Sequence, residues 1–295
     1  MTVKSKTEDL EIFITVADTG GFSAAANQLD VQVARVSRSV ARLEAELDAP
    51  LLNRTTRRVE LTAEGQVFLD YAKQALSTLE QGEDKLKSLK GTPSGRLRVD
   101  AASPFLYHQI IPLIKEFNAC YPEIKLELIS HENIIDLIEQ RTDIAIRIGR
   151  LPDSNLHAKT LGASKLYLVA SRDYLDSSST PQSIPELADH KILGFADMPQ
   201  LNNWPLTEPL ELTPKLTASS GEAIRQLCLA GNGIALLSNF MIRQDIDAGK
   251  LIEVLPGSVL SPNARELVQA VYYRNTALSS RISAFLDFFS NRLSL

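Results

Sequence analysis

The sequence predicts an α/β protein with an all-α, winged N-terminal domain: a winged helix-turn-helix, a long linker helix and a two-lobed α/β domain. Three observations predict it. Before residue 48, amphipathic helices meet at a tight turn, and an arginine-rich stretch with apolar ends follows. Apolar residues then recur at three- and four-residue steps through residues 63–90. From Arg96 onward, short apolar strands alternate with helices, a pattern that builds sheets covered by helices.

Each N-terminal element follows from spacing. Leu10, Phe13, Ile14, Val16 and Ala17 give the stretch Glu8–Thr19 one buried helical face, and Gly20-Gly21 ends it. Ser23 suits the N-cap of a short second helix, and Ala24, Ala25 and Ala26 let a crossing helix come close. Asp30 is the expected turn residue before a third helix, about Val33 to Leu47. Val36, Val40, Leu43 and Leu47 face inward there, leaving Arg35, Ser37, Arg38 and Arg42 outward or flanking. Guanidinium groups near the start of an exposed helix suit major-groove reading, because Arg forks onto guanine O6 and N7. A solvated amphipathic helix is the plain alternative for this segment alone. Residues Leu51 to Leu61 then read as a two-stranded wing. Arg54, Thr55, Thr56, Arg57 and Arg58 occupy its middle with no acid among them, as phosphate or minor-groove contacts require.

The ordered run of Phe22-Ser-Ala-Ala-Ala, Val36-Ser-Arg, Leu43-Glu44, Leu51-Leu-Asn-Arg-Thr-Thr-Arg57 and Leu61-Thr-Ala-Glu-Gly65 resembles the winged helix-turn-helix of LysR-type transcriptional regulators. The resemblance extends over essentially the whole chain. Leu52-Asn-Arg-Thr-Thr-Arg57, Ser219-Ser-Gly-Glu222 and Ala270-Val-Tyr-Tyr273 are most similar to the CrgA-like branch. It implies double-stranded promoter or operator DNA as partner, a homodimer or homotetramer, a small-molecule effector, and contact with RNA polymerase. The implied DNA-binding set adds Ser23 and Gln32 to the residues above. The chain departs from the family where a Ser-Gln pair often opens the third helix: Gln32-Val33 stands there, and Val33 can only pack on a thymine methyl.

Composition bounds the rest. The chain of 295 residues carries a net charge of −5, so positive charge is local. Arg35 to Arg58 holds six arginines against Glu44, Glu46 and Asp48. No apolar run reaches the roughly 18 residues of a membrane span. The N-terminal residues lack a signal-peptide core, so a cytoplasmic protein is expected. Cys120 and Cys228 lie in apolar helical context and are expected to be buried free thiols. His108, His131, His157 and His190 form no metal-ligand spacing, and no nucleophile elbow or phosphate-binding loop occurs. No metal, cofactor or enzymatic activity is expected.

Domains are placed at 1–62 (DNA binding), 63–90 (linker and dimerisation helix) and 91–295 (effector binding). Thr62 is read as the cap of a helix from Ala63 to Lys90, roughly 40 Å long. Its apolar stripe is expected to meet a second subunit, with packing on its own chain as the alternative. Lobe I spans 93–163 and 267–295; lobe II spans 164–266. Strands are expected at Leu97–Ala101, Lys125–Ile129, Ile144–Ile148, Leu166–Ala170, Lys191–Leu193, Leu216–Ala218, Ile234–Leu237 and Leu267–Tyr273. Helices are expected at Pro104–Ala119, Ile134–Gln140, Ile184–His190, Gly221–Ala230 and Ser279–Arg292. The resemblance makes the lobes similar to periplasmic solute-binding proteins.

Open α/β sheets bind ligands at strand C-terminal ends. That rule selects Ala102, Ser103, Ser130, His131, Glu132 and Arg147 from lobe I, and Phe195, Ser219 and Ser220 from lobe II. Serines, one Arg and one aromatic suit a small polar or carboxylate-bearing organic molecule. Helix capping by Ser103 or Ser219, and an ion pair at Arg147, are the structural alternatives. A loop around Trp204 is expected over lobe II. Two rival functions remain: a solute-binding or enzymatic α/β protein with an unrelated N-terminal appendage, and an architectural DNA binder that senses nothing.

Overall fold

In a computed structural model, which describes residues 4–54, 59–88, 92–132, 137, 142–151, 156–273 and 279–295, the first helix α1 (Thr7–Thr19) buries Leu10, Phe13, Ile14 and Val16. It ends on Gly20 at φ 68°, a conformation that glycine adopts without a Cβ clash. Helix α2 (Phe22–Gln28) begins two residues earlier than expected. Gly21, extended at φ −173° and ψ 148°, precedes it, because Phe22 is already drawn against the core. Ser23 is therefore not the N-cap; it lies exposed in the first turn. Asp30 takes the turn at φ 53°, and α3 runs Val33–Leu47 with Val36, Val40 and Leu43 fully buried.

Strands β1 (Leu52–Arg54) and β2 (Val59–Leu61) pair antiparallel, Leu52 opposite Leu61. Thr55, Thr56, Arg57 and Arg58 lie outside the described residues, so the expected wing tip does too. The Glu44 carboxylate accepts from the backbone N–H groups of Leu51 (2.9 Å) and Leu52 (3.1 Å), which ties α3 to the start of the hairpin. Thr62 caps α4 (Ala63–Ser88) by accepting from Gly65 N at 2.8 Å. A Cβ on Gly65 would collide with the Leu51 carbonyl, so only glycine lets α4 leave the hairpin along this path. Its first half then joins the core through Leu69, Ala72 and a Phe13–Phe68 ring contact at 5.9 Å.

The chain forms two units by its internal contacts, Met1–Leu89 with Asp136–Arg141, and Lys90–Ile135 with Thr142–Leu295. In the second unit the order is β3 (Gly95–Ala101), α5 (Ser103–Phe105), α6 (Ile114–Cys120), β4 (Ile124–Ile129), β5 (Ile144–Ile148), β6 (Leu156–Ala163), β7 (Leu166–Ser171) and α7 (Arg172–Ser178). Then come β8 (Leu193–Phe195), β9 (Leu216–Ala218), α8 (Gly221–Leu229), β10 (Ala235–Ser238), α9 (Asn239–Asp247), β11 (Leu251–Glu253), β12 (Leu267–Tyr273) and α10 (Ser280–Ser290).

One sheet has the order β4-β3-β5-β12-β6. Its first three strands are parallel, as expected from the alternating pattern; β12, returning from the other lobe, pairs antiparallel with β5 on one side and with β6 on the other. The second lobe holds β10-β7-β11, antiparallel, and the parallel pair β8-β9, joined to β10 by a bridge between Ile192 and Ile234. Helix α10 seals the first sheet with Phe285, Phe288 and Phe289, all within 5.7 Å of the Phe117 ring centroid.

Several segments differ from the sequence reading. The helix expected over Pro104–Ala119 breaks into α5, a π turn at Leu106–Ile110, a 3-10 turn at Ile111–Leu113 and α6. Pro112, with no N–H to give, interrupts the ladder. The helix expected at Ile184–His190 is a 3-10 turn (Pro185–Asp189), and the strand expected at Lys191–Leu193 starts two residues later. The helix expected at Ile134–Gln140 lies outside the described residues apart from Leu137. The expected loop around Trp204 is present, with the Trp204 side chain packed into the lobe II core. Cys228 is buried, whereas Cys120, on the outer side of α6, is exposed rather than buried as expected.

Gly65→Ala is expected to destabilise the N-terminal unit by about 1–3 kcal/mol, the usual cost of forcing atoms into a filled space. The lower-temperature transition in scanning calorimetry reads this, and an unchanged profile would mean that α4 tolerates displacement.

Candidate nucleic-acid interface and ligand cleft

The N-terminal turn of α3 presents Gln32, Val33, Arg35 and Arg38 to solvent, with Ser37 partly buried beside them. The arginines are not equivalent. Arg42 forks onto Asp9 of α1, with Nε–Oδ2 at 2.8 Å and a second short contact from Nη2 to Oδ1. The Asp9 side chain has 0% exposure, so this is the salt bridge that holds α3 across α1. Burial alone would raise the Asp9 carboxyl, but hydrogen bonds from Arg42 and Ser39 and the charge of Arg42 outweigh it and hold it below its ordinary 3.8. Arg35 forks onto Glu8 through Nε (3.1 Å) and Nη2, both side chains exposed. Among the described residues the Arg38 side chain has one hydrogen bond, from Nε to its own helix at Ala34 O (3.1 Å), and none from its Nη groups. Nothing in the sequence context of Glu8 and Asp9 marked them as partners of α3. Arg54 closes β1; Thr55 to Arg58 lie outside the described residues.

The second candidate site gathers at the C-terminal ends of β3, β4 and β5. Asp100, with 0% side-chain exposure, is bracketed by His131 (Nδ1–Oδ1 2.7 Å) and Arg147 (Nη1–Oδ2 2.7 Å). Arg147 Nη2 is buried with no hydrogen-bond partner among the described residues. Ser103 gives both its backbone N–H (3.0 Å) and its hydroxyl (2.6 Å) to Glu132 Oε1. The chain's own carboxylate thus takes the donors that the sequence offered to a ligand. Ala102 is partly buried just before α5, and Ser130 is exposed. Asp100 was missed by sequence reasoning; its signal was an acid at the inward end of an apolar strand.

Lobe II contributes at the same place. Phe195 is held on both its N–H and C=O by the Asn202 side chain (2.7 and 3.0 Å). Ser220, not Ser219, caps α8 by accepting from Ala223 N at 3.2 Å, which leaves Ser219 exposed. A Cβ built on Gly221 would lie 3.3 Å from Pro104 and 3.9 Å from the Phe195 ring, so the start of α5 and the start of α8 touch across the lobes. Beside them His108 Nε2 meets Glu222 Oε2 at 2.8 Å, and Glu222 also meets Arg225 at 2.8 Å. Burial would raise the Glu222 carboxyl; bonds from Gln226 and His108 and the Arg225 charge more than reverse that. Cys228 donates to Val169 O at 3.3 Å, and burial pushes its thiol up to about 12, which keeps it out of thiolate chemistry.

Residues 7–66 match the family model "Bacterial regulatory helix-turn-helix protein, lysR family", and residues 90–294 match "LysR substrate binding domain". The chain is 42% identical over 295 residues to the HTH-type transcriptional regulator CrgA of Neisseria meningitidis serogroup C (strain 8013), covering 99% of this chain and 98% of that protein. The solved structure of CrgA, a LysR-type transcriptional regulator, superposes with a TM-score of 0.66 at 42% identity over 99% of this chain and 100% of that one. The full-length Vibrio cholerae virulence activator AphB superposes with a TM-score of 0.65 at 28% identity, covering 98% and 100% of the two chains.

A carboxyl whose pKa is lowered on folding contributes stability that is fully present above its unfolded value and fades as pH falls through its folded value. The Asp9–Arg42 contribution is therefore complete above about pH 4 and is lost on further acidification. Asp9→Asn should lower the melting point of the N-terminal unit at pH 7 and narrow the gap to wild type near pH 2. An equal gap at both pH values, read by circular dichroism melts, would remove this pair from the stability of the unit.

Proposed function

The chain belongs to the LysR family of DNA-binding transcriptional regulators, and from that premise we propose that α3 reads operator DNA under control of a small organic effector held between the two lobes. The observation that carries the DNA reading is the exposed start of α3, where, among the described residues, the Arg38 Nη groups make no hydrogen bond while Arg42 is bound inward. On this reading Arg38 forks onto a guanine, Gln32 and Ser37 meet base edges or phosphates, and Val33 meets a thymine methyl. Arg42 braces the helix, and Arg35 exchanges between Glu8 and phosphate. Arg54, Thr55, Thr56, Arg57 and Arg58 follow the groove wall.

The protein acts in the cytoplasm as a dimer or tetramer. Support for pairing comes from α4, where Val67, Tyr71, Leu79 and Leu86 are 59%, 68%, 56% and 67% exposed on one stripe. Beside the stripe lies an apolar groove of about 520 Å³ lined by Leu47, Leu51, Val67, Phe68 and Tyr71. A second copy of the helix removes that surface from water and sets two α3 helices at a fixed spacing.

The effector reading is supported by the convergence of Ser103, Phe195 and Gly221 across the lobes. An effector reaching Ser103 exchanges with Glu132. It acts by binding one lobe arrangement more tightly than the other, and this difference is transmitted to the DNA-binding heads.

The deciding experiment is binding of the purified protein to DNA upstream of its own gene, against random DNA of equal length, at two salt concentrations. Preferential, salt-sensitive binding is expected; absence of binding at low salt would end the reading. Arg38→Ala should weaken specific binding roughly 5- to 150-fold (about 1–3 kcal/mol) and relax one base step. Arg57→Ala should weaken all DNA binding and reduce the salt slope by about one. Tyr71→Glu should shift the protein towards monomer in analytical ultracentrifugation and weaken operator binding with it.

A further inference from the structure

We propose that Arg265, at the crossing back from lobe II to lobe I, is the anion anchor of the cleft and selects effectors that carry a carboxylate. The inference rests on the reading of that cleft as the effector site, and it names the chemical class that the site takes.

The position follows from strand pairing. Gly149, just past β5, donates to Leu267 O at 2.8 Å, so the start of β12 lies beside the end of β5. Strand β5 is parallel to β3, and β3 to β4, so Arg265 stands on the sheet edge that also carries Ser103, His131 and Glu132. The two segments are in contact: a Cβ at Gly149 would lie at ordinary van der Waals distance, 3.8 Å, from Arg265 Cα. From lobe I the Arg265 side chain reaches across to lobe II, where Nη1 donates to Leu201 O at 2.9 Å. Leu201 is next to Asn202, the residue that clamps Phe195. The guanidinium therefore lies where the strand ends of both lobes meet.

Its charge is unanswered. Arg225, Arg281 and Arg292 of this unit all sit within 4.0 Å of a carboxylate, as does Arg147. Among the described residues no carboxylate stands that close to Arg265, and its one side-chain acceptor is a neutral carbonyl. Burial pushes its guanidinium down to about 10, with no acid to offset the effect. A partly buried cation without a counter-charge costs stability, and a planar fork with nitrogens to spare matches a carboxylate. At the other end of the edge Glu132 already fills the Ser103 donors. An incoming carboxylate thus meets repulsion at Ser103 and attraction at Arg265, which orients it with its acid towards the crossing.

The test uses the full-length protein and sodium propionate and benzoate against propionamide and benzamide, at ionic strength matched with sodium chloride. A carboxylate at about a hundred-fold excess over its Kd should raise the melting point by roughly 5–10 °C, and its amide should not. Arg265→Gln should abolish that rise and Arg265→Lys should keep part of it. Without ligand, Arg265→Met should melt within about a degree of wild type or above it, because an unanswered charge has been removed. A clear fall in that variant would assign Arg265 to bracing the lobes and overturn the proposal. Equal stabilisation by acid and amide, lost in Phe195→Ala but kept in Arg265→Gln, would overturn it while leaving the cleft as the effector site. A panel in which no carboxylate moves the wild-type melting point would overturn it and also remove support for the effector reading; operator binding is measured separately and stands or falls by itself.

Discussion

A carboxylate taken out of water must meet a cation or hydrogen-bond donors, and in both units a buried aspartate answered by an arginine holds elements together. Asp9 is fully buried under α3, so Arg42 is committed to it, and the angle at which α3 crosses α1 is set by a two-point fork. Asp100 is fully buried at the inner end of β3, so Arg147 and His131 are drawn to it from the ends of β5 and β4. Asp245 plays the same part in lobe II, taking Arg225 at 2.6 Å. These three pairs commit Arg42, Arg147 and Arg225 to the fold. Among the described residues Arg38 and Arg265 have only a neutral carbonyl as side-chain acceptor, and the roles proposed for each of them rest on that.

Close approach of backbone is the second constraint. Gly65 lets α4 leave the hairpin against Leu51, which couples the long helix to the core that also holds α3. Gly221 does milder work between the lobes: a Cβ there would lie 3.3 Å from Pro104, which would have to give by a few tenths of an ångström, while the Phe195 ring stays at ordinary contact distance. Whatever alters the lobe contact at Gly221 also bears on the neighbouring His108–Glu222 pair, so the packing and the charge network at that junction move together.

Much of the fold was legible because periodicity is local. The apolar seam of α3, the stripe of α4 and the runs of β5, β9 and β12 repeat within a few residues, and each element lies where that repeat put it. The strands that escaped notice lacked that signal. Residues 156–163 form β6 at a sheet edge, where β12 is the strand that pairs with them and none of the positions is fully buried, so their composition is mixed. Strand β11 has three residues and is defined wholly by its pairing to β7. The broken helix after Ser103 was hidden for the opposite reason: its apolar pattern is continuous, and only Pro112 betrays the interruption.

The sequence by itself determined the class of the protein, because an ordered set of motifs over more than forty residues, a stripe for a long helix and an alternating α/β pattern are all written in near-neighbour spacing. It also determined the kinds of residue at each strand end. Only the tertiary structure decided what those residues do. Arg38 and Arg42 lie four positions apart on one helix and look alike in sequence, yet one is bound to Asp9, 33 residues away, and the other is not. Ser103 reads as a free donor until Glu132 is found on it, and Arg265 reads as loop until the return of β12 carries it to the meeting of the lobes. Charge pairing acts through space over a few ångströms, and sequence separation carries no record of which carboxylate the fold will bring within that reach.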